Sequence, residues 1–141
     1  MLKNIHPLLT GSLLSLLDRV GHGDLLALVD RNFPAHRYGA PVIDLRGVDT
    51  GAAAEALLSV FPLDSFVDEA VHRMEIDGAP DEITAATERL QEAADAAEGR
   101  SVRIASTERF AFYDLARPTS VFVQTGETIP YSCYLLRKGV V

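Results

Sequence analysis

The chain has a single cysteine, no long apolar run and few positive charges for its length. Because Cys133 has no second cysteine to pair with, an internal disulfide is excluded. No run of about 18 apolar residues occurs, so no transmembrane helix is predicted. The first residues also lack the basic region and apolar run of a signal peptide. We therefore expect a cytoplasmic protein.

The charge balance argues against two classes of partner. Lysine and arginine total 13 against 20 aspartates and glutamates, which gives a net charge of −7. A nucleic-acid-binding protein is expected to present a basic face, and anionic membranes attract basic segments. We expect neither partner, and the composition fits a protein that acts on a neutral small molecule. The 141 residues, 48% of them hydrophobic, are enough for one domain over residues 1–141 with a real core.

Several common catalytic motifs are also absent. There is no glycine-rich phosphate loop and no Gly-x-Ser-x-Gly elbow, so nucleotide binding and serine hydrolysis have no support. His6 and His72 lack a second ligand three or four residues away, so the helical zinc motif is missing. We expect neither a metal ion nor a cofactor.

Helical and strand patterns alternate along the chain. Short apolar runs such as Leu25–Val29 are typical of strands that are covered on both faces. The predicted strands are Leu25–Val29, Pro41–Leu45, one within Val67–Ile76, Val102–Ala105, Ser120–Gln124 and Cys133–Arg137. This alternation predicts a three-layer α/β domain with a mainly parallel sheet. The last two strands are joined by a short turn, so we expect them to be antiparallel.

Capping residues and helix breakers set the predicted helix bounds. The predicted helices run from a Thr10 or Ser12 cap to Val20, from a Thr50 cap to Phe61, from Pro80 or Asp81 to Glu98, and from a Ser106 or Thr107 cap to Arg117. Gly21, Pro62, Gly99 and Pro118 follow these helices directly.

The turn Gly21-His22-Gly23-Asp24 joins the first predicted helix to the first strand. Imidazole exchanges protons near neutral pH, and the flanking glycines let the backbone bend and leave the ring uncovered. Asp30 follows the strand at its carboxyl end, where open α/β sheets gather ligands. His22 and Asp30 are therefore candidates for acid/base chemistry and ligand binding. The alternative is a helix cap with an exposed turn histidine, and a turn cap at Asp30.

Further distinctive segments follow one another along the whole chain. They are Met1–Lys3 with Pro7–Leu9, Asp30 with Asn32–Ala35, Phe61–Phe66, Glu108–Tyr113, Thr125–Glu127 with Tyr131, and Leu135–Val140. Together with the glycine–histidine turn, in this order and spacing, they resemble the RbsD/FucU family of sugar mutarotases, and the L-fucose mutarotase branch most closely. The resemblance implies an RbsD-like fold.

The resemblance also implies a reaction. A mutarotase interconverts the α and β anomers of a reducing sugar, here L-fucose or a related deoxyhexose or pentose, without a cofactor. The ring opens when a base removes the anomeric proton and an acid protonates the ring oxygen. His22 matches the catalytic histidine of the family, and Tyr131 matches the tyrosine that acts beside it.

Other residues match the family's sugar-binding positions. Asp30 matches an aspartate that binds sugar hydroxyls, and Asp64 matches a carboxylate near the site. Arg109 and Tyr113 are four residues apart, so they share one helix face. The alternative for Arg109 is a surface ion pair. Phe110 and Phe112, which alternate with these residues, are expected in the core.

At one matched position the chain departs from the family pattern. Tyr131-Ser132-Cys133 stands where the family has tyrosine, a small residue and asparagine. A thiol is a weak hydrogen-bonding group, whereas an amide has two donors and an acceptor. Cys133 is still predicted to line the substrate site, and its identity bears on the choice of sugar more than on the reaction.

The resemblance implies a ring-shaped homo-oligomer, a pentamer or decamer, in which Tyr131 reaches the pocket of a neighbouring subunit. Three other functions remain open from the sequence. One is a pyranase of the D-ribose type, which uses the same ring opening. Another is a monosaccharide-binding or transport-associated module without turnover. The third is a metal-assisted aldolase or isomerase that uses His22 and Asp24.

Overall fold

A six-stranded sheet forms the centre of the computed structural model, which describes residues 1–141. The strands are β1 (Leu25–Val29), β2 (Val42–Leu45), β3 (Val71–Met74), β4 (Ile104–Thr107), β5 (Val121–Thr125) and β6 (Tyr134–Arg137). The helices are α1 (Gly11–Arg19), α2 (Thr50–Leu58), α3 (Ala85–Glu98) and α4 (Arg109–Leu115), with a short 3-10 helix at Ala35–Tyr38. None of these helices is long and apolar enough to cross a membrane.

The sheet is mostly parallel, with the strand order β2-β5-β1-β6-β3-β4. Only β6 runs antiparallel, and it pairs with β1 on one side and β3 on the other. The antiparallel direction predicted for the last strand is therefore confirmed. The two last strands are not neighbours in the sheet, because β1 lies between them. Residues 126–133 connect the two strands past the end of β1. Two strand spacings add up to about 10 Å, a distance that eight residues easily span.

Helices cover both faces of the sheet, which confirms the three-layer architecture. Side chains alternate along a strand, so Leu26 and Leu28 of β1 pack in a cluster with residues of α1, α2 and α3. Leu25, Ala27 and Val29 of the same strand pack in a second cluster with residues of α4 and the 3-10 helix. All five β1 residues are buried, so the continuous apolar run reflects a central strand covered on both sides.

Three helix caps differ from those predicted. Asp49 caps α2 by accepting the Ala52 N–H, Thr84 caps α3 by accepting the Thr87 N–H, and Glu108 caps α4 by accepting the N–H groups of Phe110 and Ala111. Thr50 is instead the first residue of α2 and is fully buried. The chain near Pro80 forms a turn, in which the Pro80 carbonyl accepts a hydrogen bond from the Arg73 guanidinium. Helix α3 therefore starts later, at Ala85.

Several element ends also differ slightly from the prediction. The Thr10 cap of α1 is confirmed, but α1, α2 and α4 end earlier than predicted, at Arg19, Leu58 and Leu115. Strand β4 lies two residues later, because the backbone N–H of Val102 donates to Asp95 of α3 instead of joining the sheet. Strand β6 starts at Tyr134 instead of Cys133, so Cys133 lies just before the strand; the other site residues stay in the elements predicted for them.

Glu127 anchors the connection between β5 and β6. Its Oε2 accepts the Thr50 N–H at 3.3 Å and pairs with Arg89 of α3 at 3.1 Å. Its Oε1 accepts the N–H groups of Thr128 and Ile129 at 2.9 and 3.0 Å. Burial acts to raise the pKa of Glu127, but these bonds and Arg89 outweigh burial and hold the pKa below its ordinary value. The connection is thereby fixed to α2 and α3.

Gly126 lies where this connection passes the loop after β2. A Cβ at this position would overlap the carbonyl oxygen of Arg46, and the Gly126 N–H donates to the Val48 carbonyl at 2.7 Å. We expect Gly126→Ala to lower the free energy of unfolding by about 1–3 kcal/mol, because backbone must move to admit a methyl group. Urea denaturation measures this change.

Gly47→Ala is the matched control for this substitution. A Cβ at Gly47 meets nothing within 4 Å, so its effect should stay within about 1 kcal/mol. Equal loss of stability in both variants would show that the close approach at Gly126 does not constrain the fold.

Candidate active site

Five of the seven predicted site residues line one cavity of about 230 Å³. They are Asp30, Arg109, Tyr113, Tyr131 and Cys133. The cavity lies where β1 and β3 end and β6 begins, at the carboxyl edge of the parallel strands. This is the edge at which open α/β sheets bind ligands.

Asp30 serves both the turn and the cavity. Its carboxylate is 7% exposed. Oδ1 accepts the backbone N–H groups of Asn32 at 2.9 Å and Phe33 at 3.0 Å, which is the turn cap considered as an alternative. Oδ2 lies 3.5 Å from the Cys133 sulfur. Burial raises the pKa of Asp30 above its ordinary value, although these hydrogen bonds oppose that effect.

Arg109 and Tyr113 line the cavity from one face of α4, as their spacing predicted. The Arg109 guanidinium also pairs with Asp77, with Nη2 3.0 Å from Oδ2, so the surface ion pair and the cavity position coexist. The ring of Tyr113 lies 5.7 Å from that of Phe33. The Arg109 guanidinium is therefore held by an ion pair, and the Tyr113 ring by packing, before any ligand arrives.

The two phenylalanines between these residues have different environments. Phe112 is fully buried, but Phe110 is 63% exposed, so the prediction that Phe110 lies in the core is wrong. Residues two apart on a helix point about 200° away from each other. Only one of the pair can face the sheet, and the Arg109 guanidinium lies over the exposed ring, 4.6 Å from its centroid.

Tyr131 is held in a left-handed backbone conformation, with φ of 62°. Its carbonyl oxygen accepts the Cys133 N–H at 2.8 Å. Such a conformation is uncommon for a residue with a side chain, and strained residues cluster at functional sites. The tight turn brings this phenol to the cavity mouth next to Pro130.

His22 and Asp64 lie together elsewhere in the fold. The His22 side chain is 49% exposed, and its Nε2 is 3.4 Å from Oδ2 of the buried Asp64. The Phe66 ring stands edge-on to the imidazole at 5.8 Å. The Phe66 N–H holds the pKa of Asp64 below its ordinary value, against burial and with help from His22. Asp24 accepts the Gly21 N–H at 2.9 Å, so it shapes the turn.

A single copy of the chain does not bring His22 to the cavity. His22 precedes β1 and Asp30 follows it, so they stand at opposite edges of the sheet. The five-residue strand is about 16 Å long, beyond the reach of either side chain. His22 lines a different cavity, of about 530 Å³, with Lys138 and Pro62 among its other residues. The predicted site is therefore split into two half-sites.

Sequence reasoning missed four residues of the smaller cavity. Asn32, Phe33, Met74 and Pro130 also line it. Asn32 and Phe33 closely follow Asp30 in the segment that resembled the family, so their place in the sequence could have indicated that they line the same cavity. Met74 ends β3, and only the strand order, with β3 beside β6, reveals its place. No group of three His, Cys, Asp or Glu side chains has the arrangement of a metal site.

The buried charge of Asp30 makes a testable contribution to stability. Asp30→Asn keeps an Oδ1 acceptor for both N–H groups but removes the charge. In the folded protein the pKa of Asp30 lies above 3.8, so ionisation of Asp30 destabilises the fold. This loss of stability is absent well below pH 3.8 and complete above the raised pKa. We expect the unfolding free energy of Asp30→Asn relative to wild type to rise with pH through this window, measured by urea denaturation.

Asp30→Ala is the control for the turn. It leaves both N–H groups without an acceptor and should be about 1–3 kcal/mol less stable than Asp30→Asn at every pH, because both variants lack the charge. A constant difference between Asp30→Asn and wild type across the pH series would contradict the cost assigned to the buried charge.

Comparison with known proteins assigns the family. The family model described as the RbsD / FucU transport protein family matches residues 3–141. The L-fucose mutarotase of Glaesserella parasuis is 36% identical over 140 residues, covering 99% of this chain and 96% of the relative. The FucU structure from Bifidobacterium longum is 34% identical, with a TM-score of 0.91, and 99% of each chain is covered.

A third relative has its sugar bound. The structure of the fucose mutarotase in complex with L-fucose from Streptococcus pneumoniae is 30% identical, with a TM-score of 0.90 and 99% of each chain covered. The match of the family model and the near-complete coverage of these relatives agree with the segments found along the sequence. The chain belongs to the RbsD/FucU family.

Proposed function

We propose that this chain is a cofactor-independent sugar mutarotase that acts on L-fucose or a related deoxyhexose or pentose. The observation that carries the proposal is the small cavity that gathers one carboxylate, one guanidinium and two phenols. The family membership and the L-fucose mutarotases among the relatives support the same reaction.

The cavity suits a monosaccharide in size and chemistry. Its volume of about 230 Å³ is below the range of about 300–1,000 Å³ that drug-sized ligands occupy. The Asp30 carboxylate accepts hydrogen bonds from hydroxyl groups, and the Arg109 guanidinium donates them in a fixed geometry. Phe33 and Met74 add apolar wall to the cavity.

The His22–Asp64 pair supports proton transfer. With Nε2 directed at Asp64, the other ring nitrogen has no partner in the chain and is free to exchange a proton with a sugar. One group takes the anomeric proton while the bond between the anomeric carbon and the ring oxygen breaks, and the other protonates that oxygen. His22 and Tyr131 fill these roles in the proposal. Rotation of the open-chain aldehyde and closure by the reverse steps yields the other anomer.

The two half-sites meet when a second copy docks. We infer a homo-oligomer, a pentamer or decamer, in which His22 and Asp64 of one copy complete the cavity of its neighbour. Exposed apolar residues flank each half-site: Phe66 is 73% exposed beside His22, and Phe110 is 63% exposed beside the cavity. Such exposed apolar surface is typical of protein contacts. A cytoplasmic location belongs to the same proposal, and the free thiol of Cys133 fits a reducing compartment.

His22→Ala should abolish the anomeric exchange. Loss of a general acid or base costs about 100-fold or more, which would bring exchange down to the uncatalysed rate. Saturation-transfer NMR on L-fucose and a panel of deoxyhexoses and pentoses measures it. His36→Ala is the control. His36 is exposed on the 3-10 helix and lines neither cavity, so this variant should exchange sugar like wild type.

The same measurement separates the rival functions. Equal exchange in wild type and His22→Ala would remove His22 from the reaction. Sugar binding by wild type without any exchange would favour the binding-module function. Pyranose–furanose interconversion of D-ribose at a higher rate than anomer exchange of L-fucose would favour the ribose-type activity.

Complementation tests whether the half-sites come from different copies. His22→Ala and Asp30→Asn should each be inactive alone. When the two are refolded together, about one quarter of the sites in a randomly mixed oligomer regain both native groups. We therefore expect about one quarter of wild-type exchange from the mixture.

A mixture of His22→Ala and Asp64→Asn is the matched control. His22 and Asp64 act from the same copy, so no site in this mixture recovers the complete pair. Failure of the first mixture to recover activity would contradict a site shared between copies.

A further inference from the structure

Cys133 is almost wholly enclosed, although it borders the cavity. It directly precedes β6 and is 2% exposed. Its N–H donates to the Tyr131 carbonyl at 2.8 Å, and its own carbonyl accepts the Met74 N–H at 3.0 Å. Its side chain packs in the cluster that contains Phe33 and Leu135. So little of the residue is accessible that it offers scarcely any surface to a ligand.

The carboxylate of Asp30 is the hydrogen-bond acceptor for the thiol. The sulfur lies 3.5 Å from Oδ2. Burial raises the pKa of the Cys133 thiol well above its ordinary value, and the charge of Asp30 acts in the same direction. The sulfur therefore keeps its proton and donates it in the hydrogen bond. No other donor in the chain reaches Oδ2, whereas Oδ1 accepts two backbone N–H groups.

We propose that Cys133 is a positioning residue that acts on the sugar through Asp30. The two N–H groups hold Oδ1, and the thiol holds Oδ2, so the carboxylate cannot rotate in the cavity. This inference rests on the proposed function and differs from the direct sugar contact that the sequence predicted.

The arrangement limits what Asp30 can recognise. An ionised carboxylate has about four lone-pair positions. Two are used by the N–H groups of Asn32 and Phe33, and one by the thiol. One position remains on Oδ2, so Asp30 accepts a single sugar hydroxyl in a fixed direction, and a sugar that lacks this hydroxyl is a poorer substrate. Without the thiol, a second lone-pair position on Oδ2 becomes free, and the orientation of the carboxylate is no longer fixed.

Kinetics of Cys133→Ala and Cys133→Ser test the positioning role. We expect Cys133→Ala to raise KM about fivefold, because this is the effect of losing about one hydrogen bond that orders the site. The kcat should stay within about twofold of wild type. Cys133→Ser keeps a donor at the same place and should restore KM. On a panel of sugars that each lack one hydroxyl, the alanine variant should discriminate less between them than wild type.

A titration without sugar provides the second readout. The thiol donor favours the ionised form of Asp30, so Cys133→Ala should raise the Asp30 pKa in a carboxyl carbon-13 NMR titration, and Cys133→Ser should bring it back. An unchanged titration in Cys133→Ala would overturn the proposal, and so would a KM effect that serine does not rescue. If wild type exchanged no sugar at all, the proposed function would fail, and the titration would still decide whether Cys133 controls Asp30.

Discussion

The length of one buried strand governs how this protein can work. Strand β1 is apolar on both faces and lies at the centre of the sheet, so it cannot bend or shorten without loss of the core. His22 stands at its start and Asp30 at its end. The strand that supports both residues therefore keeps them apart within one copy of the chain. Under the proposed function, assembly of copies is therefore a condition for the chemistry.

This separation also divides the electrostatics of the site. Asp64 has its pKa held low by a backbone N–H and by His22, so the carboxylate beside the imidazole is ready to stabilise a positive ring. Asp30, on the other edge, has its pKa raised by burial. The two carboxylates thus differ because their surroundings differ: Asp64 contacts His22, the proposed proton carrier, and Asp30 is a buried acceptor whose lone pairs are mostly used by the protein.

Much of the fold was predictable, because its signals are local. The apolar run Leu25–Val29 and the Thr10 cap need only neighbouring residues, and both are confirmed. The position of β6 between β1 and β3 depends on which strands pair. A local sequence pattern contains no information about this pairing. Asp49 and Thr50 are both good caps, and the choice follows from the burial of Thr50. The exposure of Phe110 could have been predicted, since helical period prevents it from sharing the inward face of Phe112.

Five of the seven residues predicted for the site line one cavity, but the arrangement of the seven was not predicted. The resemblance named His22, Asp64 and Asp30 as one group, yet the predicted strand between His22 and Asp30 already implied two separate edges. What neither pattern nor resemblance supplied is the contact between Cys133 and Asp30, because these residues are 103 positions apart and come together only when β6 pairs with β1. Their contact is a product of strand order.

The position of Tyr131 depends on both outer layers of the fold. The connection that carries it is held at one end by Glu127, whose carboxylate reaches α2 and α3 on one side of the sheet. It is held at the other end by Cys133, whose side chain packs in the cluster on the opposite side, beneath α4. Between these anchors the chain has few free torsions, and the left-handed turn at Tyr131 is retained because both ends over-determine it. Under the proposed function this phenol meets a group from another copy. Firm anchoring within each copy then helps, because any mobility within one copy would add to mobility at the contact between two.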